Sequence, residues 1–215
     1  MTGVAWRQSS SSSGGGDSFH AAAGRRFFDT ASGAWLVKVF PGEYYVTSKP
    51  DEVLVTVLGS CVAACIRDPV AGVGGMNHFM LAHGQSGGWG DDPESTRYGN
   101  FAMEKLINEL TKAGCLRERM EIKVFGGGNV TDTSNAIGTQ NSEFVLRYLK
   151  SEGLRCSAQD LGGKQPRRIN YSPADGRVVR RLLGGSDTFA ITREETDYAK
   201  RLSTTKTAGE IELFG

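Results

Sequence analysis

Apolar residues along this chain change their period near the middle, and that change predicts the fold class. Between residues 35 and 81 they come in short dense runs broken by turn residues: 35–40, 44–47, 52–58, 61–67 and 74–81. Runs of this length, rich in Val, Tyr, Phe and Thr and bounded by Gly, Pro or Asp, predict five β-strands. Then Tyr98, Phe101, Ala102, Leu106, Ile107, Leu110 and Ala113 recur at three- and four-residue steps. That is the stripe of an amphipathic helix, and Gly114 supplies its stop. Residues 121–125 return to strand, ahead of the loop Gly126-Gly127-Gly128-Asn129. A second helix is predicted over 141–152, with Asn141 as N-cap and Phe144, Val145, Tyr148 and Leu149 inward. Strands at 154–159 and 167–171 follow, the latter turning through Pro173-Ala174-Asp175-Gly176 into 177–183 as a hairpin. A short terminal helix is expected at 194–202. Strands first and mixed elements later predict an α+β sandwich of mixed and antiparallel sheet with packed helices, rather than a doubly wound sheet.

Domain limits follow from composition. Ser9 to Ser13 is an unbroken serine run followed by three glycines, too poor in apolar surface to order itself. Residues 1–33 are therefore expected to be a disordered leader, 34–185 the folded domain, and 186–215 a C-terminal extension with a short helix. The whole has 215 residues, enough for one core of useful size. With 25 Lys plus Arg against 24 Asp plus Glu, no basic excess marks a nucleic-acid binder. Lys164, Arg167, Arg168, Arg177, Arg180 and Arg181 form the nearest thing to a basic patch, and alternate water-facing strand positions are the favoured explanation. The 29 glycines are nearly twice the usual share, which excludes a helical bundle. The first thirty residues contain no apolar stretch of signal-peptide length, and the most apolar window, 53–66, falls short of the ~18 residues of a spanning helix. Four scattered cysteines do not make a disulfide scaffold. A reducing, cytoplasmic setting without membrane insertion is expected.

Chemistry concentrates in two segments, Gly59-Ser60-Cys61-Val62 and Met76-Asn77-His78-Phe79, separated by the turn-rich Asp68-Pro69-Val70-Ala71-Gly72. An antiparallel hairpin tipped at Pro69-Val70 would set Cys61 opposite His78. A four-residue tip at 69–72 would make them diagonal neighbours on one face. A slip of one residue from either register would separate them across the sheet. A thiol beside an imidazole is the working core of an acyl-transfer nucleophile, because the imidazole takes the proton and stabilises the thiolate. Gly59 and Ser60 allow a tight turn that could aim the Cys61 N–H and a neighbour at a developing oxyanion. Thr56 is a hydroxyl positioned to orient the imidazole. A buried structural thiol is the commoner role of an isolated Cys on an apolar strand, so this reading depends on the pairing.

Six blocks make the chain recognisable: Pro41-Gly42-Glu43-Tyr44-Tyr45-Val46, Thr56 to Ala63, Gly74 to Leu81, Arg97-Tyr98-Gly99-Asn100, Val124 to Gly128, and Asp160-Leu161-Gly162-Gly163. In this order the sequence resembles the chemoreceptor glutamine deamidases of bacterial chemotaxis, the CheD family. The resemblance implies an α+β sandwich related to the cysteine deamidase domains of cytotoxic necrotizing toxins. It implies Cys61 as nucleophile, His78 as general base and acid, and Thr56 as third member, with Gly59, Ser60 and Asn77 on the substrate side. The implied activity is cysteine-dependent conversion of receptor glutamines to glutamate without any cofactor, together with hydrolysis of receptor methyl esters. The implied partners are methyl-accepting receptors and a CheC-type phosphatase. A non-catalytic module that binds receptor or phosphatase is the competing reading.

Weaker signals take plain explanations. The Gly126–Asn129 loop lacks the residues of a phosphate loop and suggests a tight turn or a wall of the groove. Cys61 and Cys65 would lie about 13 Å apart on one strand, too far to share a metal or a disulfide. Cys65, Cys115 and Cys156 are expected to be buried structural thiols, and His20 and His83 to lie at the surface. Trp89, in a Gly- and Pro-rich stretch, is expected on a mobile loop beside a site open at its rim.

Overall fold

The structure is a computed structural model, and it describes residues 20–21, 26–81, 93–130, 137–184 and 186–204. His83 and Trp89, with the loop expected around them, lie outside these residues. The strands are β1 (His20–Ala21), β2 (Arg26–Asp29), β3 (Ala34–Lys38), β4 (Glu43–Thr47), β5 (Glu52–Leu58) and β6 (Val62–Asp68). They continue with β7 (Val73–His78), β8 (Glu121–Gly126), β9 (Cys156–Leu161), β10 (Arg167–Tyr171) and β11 (Val178–Leu182). Three α-helices accompany them: α1 (Pro93–Lys112), α2 (Ile137–Ser151) and α3 (Ser186–Thr204). One sheet has the order β1-β4-β7-β6-β8-β9 and the other β11-β10-β5-β3-β2. Both are mixed, since β1–β4, β8–β9 and β3–β5 are parallel pairs and the rest antiparallel. Helices α1 and α2 cover one face of the six-stranded sheet, and β5 of the second sheet packs against β7 on the other. This is the α+β sandwich expected.

Packing explains the layers. Leu54, Leu58, Ile66, Met76, Phe79 and Leu106 are fully buried, each contributing roughly 1.5–3 kcal/mol of transfer free energy. Helix α1 places Tyr98, Ala102, Leu106, Ile107 and Leu110 in this core, and Gly114 ends it at φ +94°. The β6–β7 hairpin has the four-residue tip: Cys65 pairs with Met76, Ile66 with Gly75, and Asp68 with Val73. The ladder extends to a bridge between Val62 and Phe79. Asp68 pins this tip. Its Oδ1 accepts the N–H groups of Val70 and Ala71, while Oδ2 accepts from the Leu116 N–H and the Arg119 guanidinium. Burial alone would raise the Asp68 pKa, but these donors outweigh it and hold the carboxyl well below the usual range.

Three expected boundaries move. Strands β1 and β2 fall inside the stretch expected to be a disordered leader. The reason for β2 is visible at its side chains: Arg26 lies 3.8 Å over the Trp35 ring and pairs with Glu52, and Phe28 meets Trp35 edge-on at 5.3 Å. The second helix starts at Ile137, so Asn141 is an interior residue and not an N-cap. The terminal helix, expected to be short, runs from Ser186 to Thr204, because Glu195, Tyr198 and Leu202 give it a buried stripe against the sandwich.

Strand β8 ends in a glycine turn that grips the segment before β6. The Gly127 N–H donates to the Cys61 carbonyl and the Gly128 N–H to the Gly59 carbonyl, both at 2.7 Å. Gly126 has φ +112°, and a Cβ there would lie 2.1 Å from the Cys61 carbonyl oxygen. The loop is thus a turn backing the Cys61 segment. Gly126→Ala is expected to cost about 2–4 kcal/mol through left-handed backbone strain plus this clash, measured by urea unfolding.

Candidate active site

Alternation along β7 sends adjacent side chains to opposite faces. Asn77 points toward the helices: its Oδ1 accepts the Ala64 N–H at 2.9 Å and its Nδ2 donates to the Ala102 carbonyl at 3.1 Å. Its amide is thus spent on backbone partners on the face opposite His78, tying β6 and β7 to α1, whereas contact with substrate was expected. His78 points the other way, between the sheets, where its Nδ1 lies 2.8 Å from the Thr56 hydroxyl. The tautomer follows from donor counting. Thr56 gives its one proton to the Val39 carbonyl at 2.7 Å, and Nδ1 also approaches that carbonyl at 3.4 Å. Both neighbours of Nδ1 are therefore acceptors, so Nδ1 carries the proton and Nε2 keeps its lone pair. Nε2 is buried without a hydrogen-bond partner.

Cys61 sits where the chain enters β6, diagonal to His78 in the observed register. Its thiol sulfur, a ring nitrogen of His78 and a carboxylate oxygen of Glu195 all lie within 4.8 Å of one another. The Gly59–Cys61 turn is held from two sides. The glycine loop takes its carbonyls, and Asn141 donates to the Ser60 carbonyl at 2.8 Å while accepting the Leu81 N–H at 2.9 Å. The N–H groups consequently face the other way and converge on Glu195. Gly59 and Cys61 donate to Glu195 Oε1 at 2.9 and 3.0 Å, and the Ser60 N–H and hydroxyl donate to Oε2 at 2.8 and 2.7 Å. Three backbone donors turned toward one carboxylate, two of them on the same oxygen, form a cradle suited to an oxyanion.

Thr56, Gly59, Ser60, Cys61 and His78 therefore come together as expected, and Asn77 does not. Sequence reasoning missed two residues. Asn141 was legible only as a polar residue on an apolar helix face, and Glu195 gave no signal among the many charges of α3. The site is also closed: Cys61 is 0% exposed and His78 2%, beneath Glu195 at 6%, where an open rim was expected. Elsewhere, Cys65 and Cys115 are buried as expected, while Cys156 is half-buried near the bulge between β8 and β9. Arg167 is not the water-facing residue expected of the basic cluster. It is buried, donates to the carbonyls of Asp160 and Gly162, and pairs with Asp160.

Cys61, His78 and Glu195 are the one group among the described residues spaced like metal ligands. Four donors already occupy the four acceptor positions of the Glu195 carboxylate, so the geometry is that of a hydrogen-bonded anion. Burial pushes the Cys61 thiol well above its ordinary pKa, and the Glu195 charge pushes the same way. Burial lowers His78 to about 4, against the opposing pull of Glu195. The pair is neutral in this closed form. Between pH 6.5 and about 4 the unfolded chain holds a proton that buried His78 refuses, so this group makes stability fall as pH drops through that window. Nitrogen-15 spectra of histidine-labelled protein are expected to show His78 as the Nδ1–H tautomer, neutral at pH 5.5. An Nε2–H tautomer, or a ring charged at that pH, would contradict the hydrogen-bond assignment.

Residues 80–182 match the family described as CheD chemotactic sensory transduction. A protein of Rhodopseudomonas palustris named probable chemoreceptor glutamine deamidase CheD is 53% identical over 190 residues, 88% of this chain and 89% of that one. Proteins of the same name from Bordetella parapertussis and Hahella chejuensis are 52% and 44% identical, covering 90% and 88% of this chain and 93% and 90% of theirs. Among the described residues no helix is long and apolar enough to cross a membrane. Identity of this extent over nearly the whole length shows that the chain belongs to the CheD family.

Proposed function

We propose that this protein is a protein-glutamine glutaminase that converts glutamines on the cytoplasmic helices of methyl-accepting chemotaxis receptors to glutamate. The observation that carries the reading is a thiol within 4.8 Å of an imidazole nitrogen, next to three converging backbone N–H groups, with Nε2 of that imidazole left free of hydrogen bonds. In this reading Cys61 gives its proton to His78 Nε2, and the thiolate attacks the side-chain amide carbon. The N–H groups of Gly59, Ser60 and Cys61 hold the oxyanion. His78 then protonates the departing nitrogen, the C–N bond breaks, and ammonia leaves a thioester on Cys61. Water loses a proton to His78, attacks the thioester carbon, and releases the thiol and a glutamate carboxylate. Thr56 is the positioning residue that keeps Nδ1 protonated. A receptor methyl ester would enter the same thioester with methanol as the leaving group.

Each turnover adds one negative charge to a receptor helix, which alters repulsion between neighbouring helices. Support for a catalyst over a module that only binds receptor, or a CheC-type phosphatase, lies in the thiol–imidazole pair itself, for which an adaptor has no use.

Incubation with a purified receptor cytoplasmic fragment, followed by peptide mapping, is expected to show Gln converted to Glu at discrete positions. Cys61→Ala should lower the rate by at least about a thousandfold while receptor binding persists. Thr56→Val, which keeps the shape and removes the acceptor, should lower it about tenfold with an altered pH profile. Conversion by Cys61→Ala at the normal rate would refute the nucleophile. Binding without conversion by either protein would establish the adaptor reading.

A further inference from the structure

Helix α3 does something no sandwich core needs: it delivers a carboxylate into the oxyanion cradle. A glutamate side chain beside Cys61, with its oxygens on the N–H groups of Gly59, Ser60 and Cys61, has the chemical form of the reaction product. The bed beneath α3 is shaped for a helix lying close. At Gly59 an added Cβ would meet Glu195 Oε2 at 2.7 Å, and at Gly42 it would meet the Tyr198 hydroxyl at 2.9 Å. One turn beyond Glu195, the Tyr198 hydroxyl bonds to the Tyr98 hydroxyl, and Leu202, a turn further on, is buried in the core. So the bed takes one acidic or amide side chain at i, an aromatic ring at i+3 and an aliphatic side chain at i+7 of a single helix.

From this geometry we infer that α3 is a tethered product mimic lying where the substrate helix lies, with Glu195 in the place of the reacting side chain. The inference rests on the deamidase reading. It identifies the substrate as a glutamine presented on an intact α-helix, carrying an apolar or aromatic residue one turn away. It also makes displacement of α3 the step that admits a receptor. With α3 seated, Cys61 and His78 are sealed from solvent and no exposed amide can reach them. Once α3 lifts, the carboxylate that disfavours a thiolate leaves, and the N–H groups are freed for an oxyanion. Competition between a tethered and an external helix lowers apparent affinity by the fraction of molecules that are closed.

A substitution turns the mimic into a substrate. In full-length Glu195→Gln protein the amide would stand against Cys61 in the seat of the reacting glutamine. Peptide mapping is expected to find glutamate at position 195, and to find glutamine there when Cys61→Ala is added. The receptor fragment, assayed with the same preparation, separates the two levels of the claim. If the fragment is deamidated while position 195 stays glutamine, the mimic is overturned and the deamidase reading stands. If neither is converted, the deamidase reading falls and takes the mimic with it. Glu195→Ala supplies an independent arm, because it removes the anchoring carboxylate. Its kcat/KM on the fragment is expected to rise by about tenfold, as for a site freed from about 90% occlusion. An unchanged or lower kcat/KM, with the fold intact by circular dichroism, would overturn the proposal.

Discussion

The register of the β6–β7 hairpin is the constraint on which the rest of the structure depends. A side-chain period of two gives His78 and Asn77 opposite duties. One ring must reach Thr56 and Cys61 between the sheets, and one amide must reach Ala64 and Ala102 beneath α1. A slip by a single residue would exchange them, burying a carboxamide against a thiol and a base against a helix. The four-residue tip prevents this by closing on Asp68, whose carboxylate collects two tip N–H groups, the Leu116 N–H and Arg119. An ion far from the chemistry thereby sets which atoms meet at the site.

Around that register, the cradle arises from opposed demands on one short segment. The glycine turn after β8 and Asn141 of α2 draw the carbonyls of Gly59, Ser60 and Cys61 outward. A peptide whose carbonyl is held on one side presents its N–H on the other. Backbone donors are thus preorganised before any ligand arrives, which is what makes such a cradle effective in a dry site. The same dryness disfavours charge on the thiol and the imidazole beneath α3.

Much of this was readable in the amino-acid order, for identifiable reasons. Strand β5 has its expected limits because a Val- and Leu-rich run, interrupted only by Thr56 and set between Asp51-Glu52 and Gly59, leaves little choice. Cys61 and His78 were legible because their chemistry is rare among apolar neighbours and their separation fits a hairpin, and Thr56 because it stands near the end of the strand just before them. Asn77 misled because its amide serves the backbone, a role sequence does not distinguish from ligand binding. Asn141 looked like an N-cap since Asn favours that position, yet its bonds to Ser60 and Leu81 connect segments far apart in sequence. Glu195 lies 134 residues from Cys61, and only the tertiary fold reveals their meeting.

The central claim is that the Cys61 sulfur, deprotonated by His78, bonds covalently to the substrate carbonyl. The most direct measurement is rapid acid quenching of the protein with a receptor fragment, then digestion and mass spectrometry of the cysteine peptides. The account predicts a transient, hydroxylamine-sensitive adduct of the substrate peptide less ammonia, confined to the peptide that contains Cys61. Deamidation proceeding with no such adduct, or with the adduct on Cys65, Cys115 or Cys156, would contradict it.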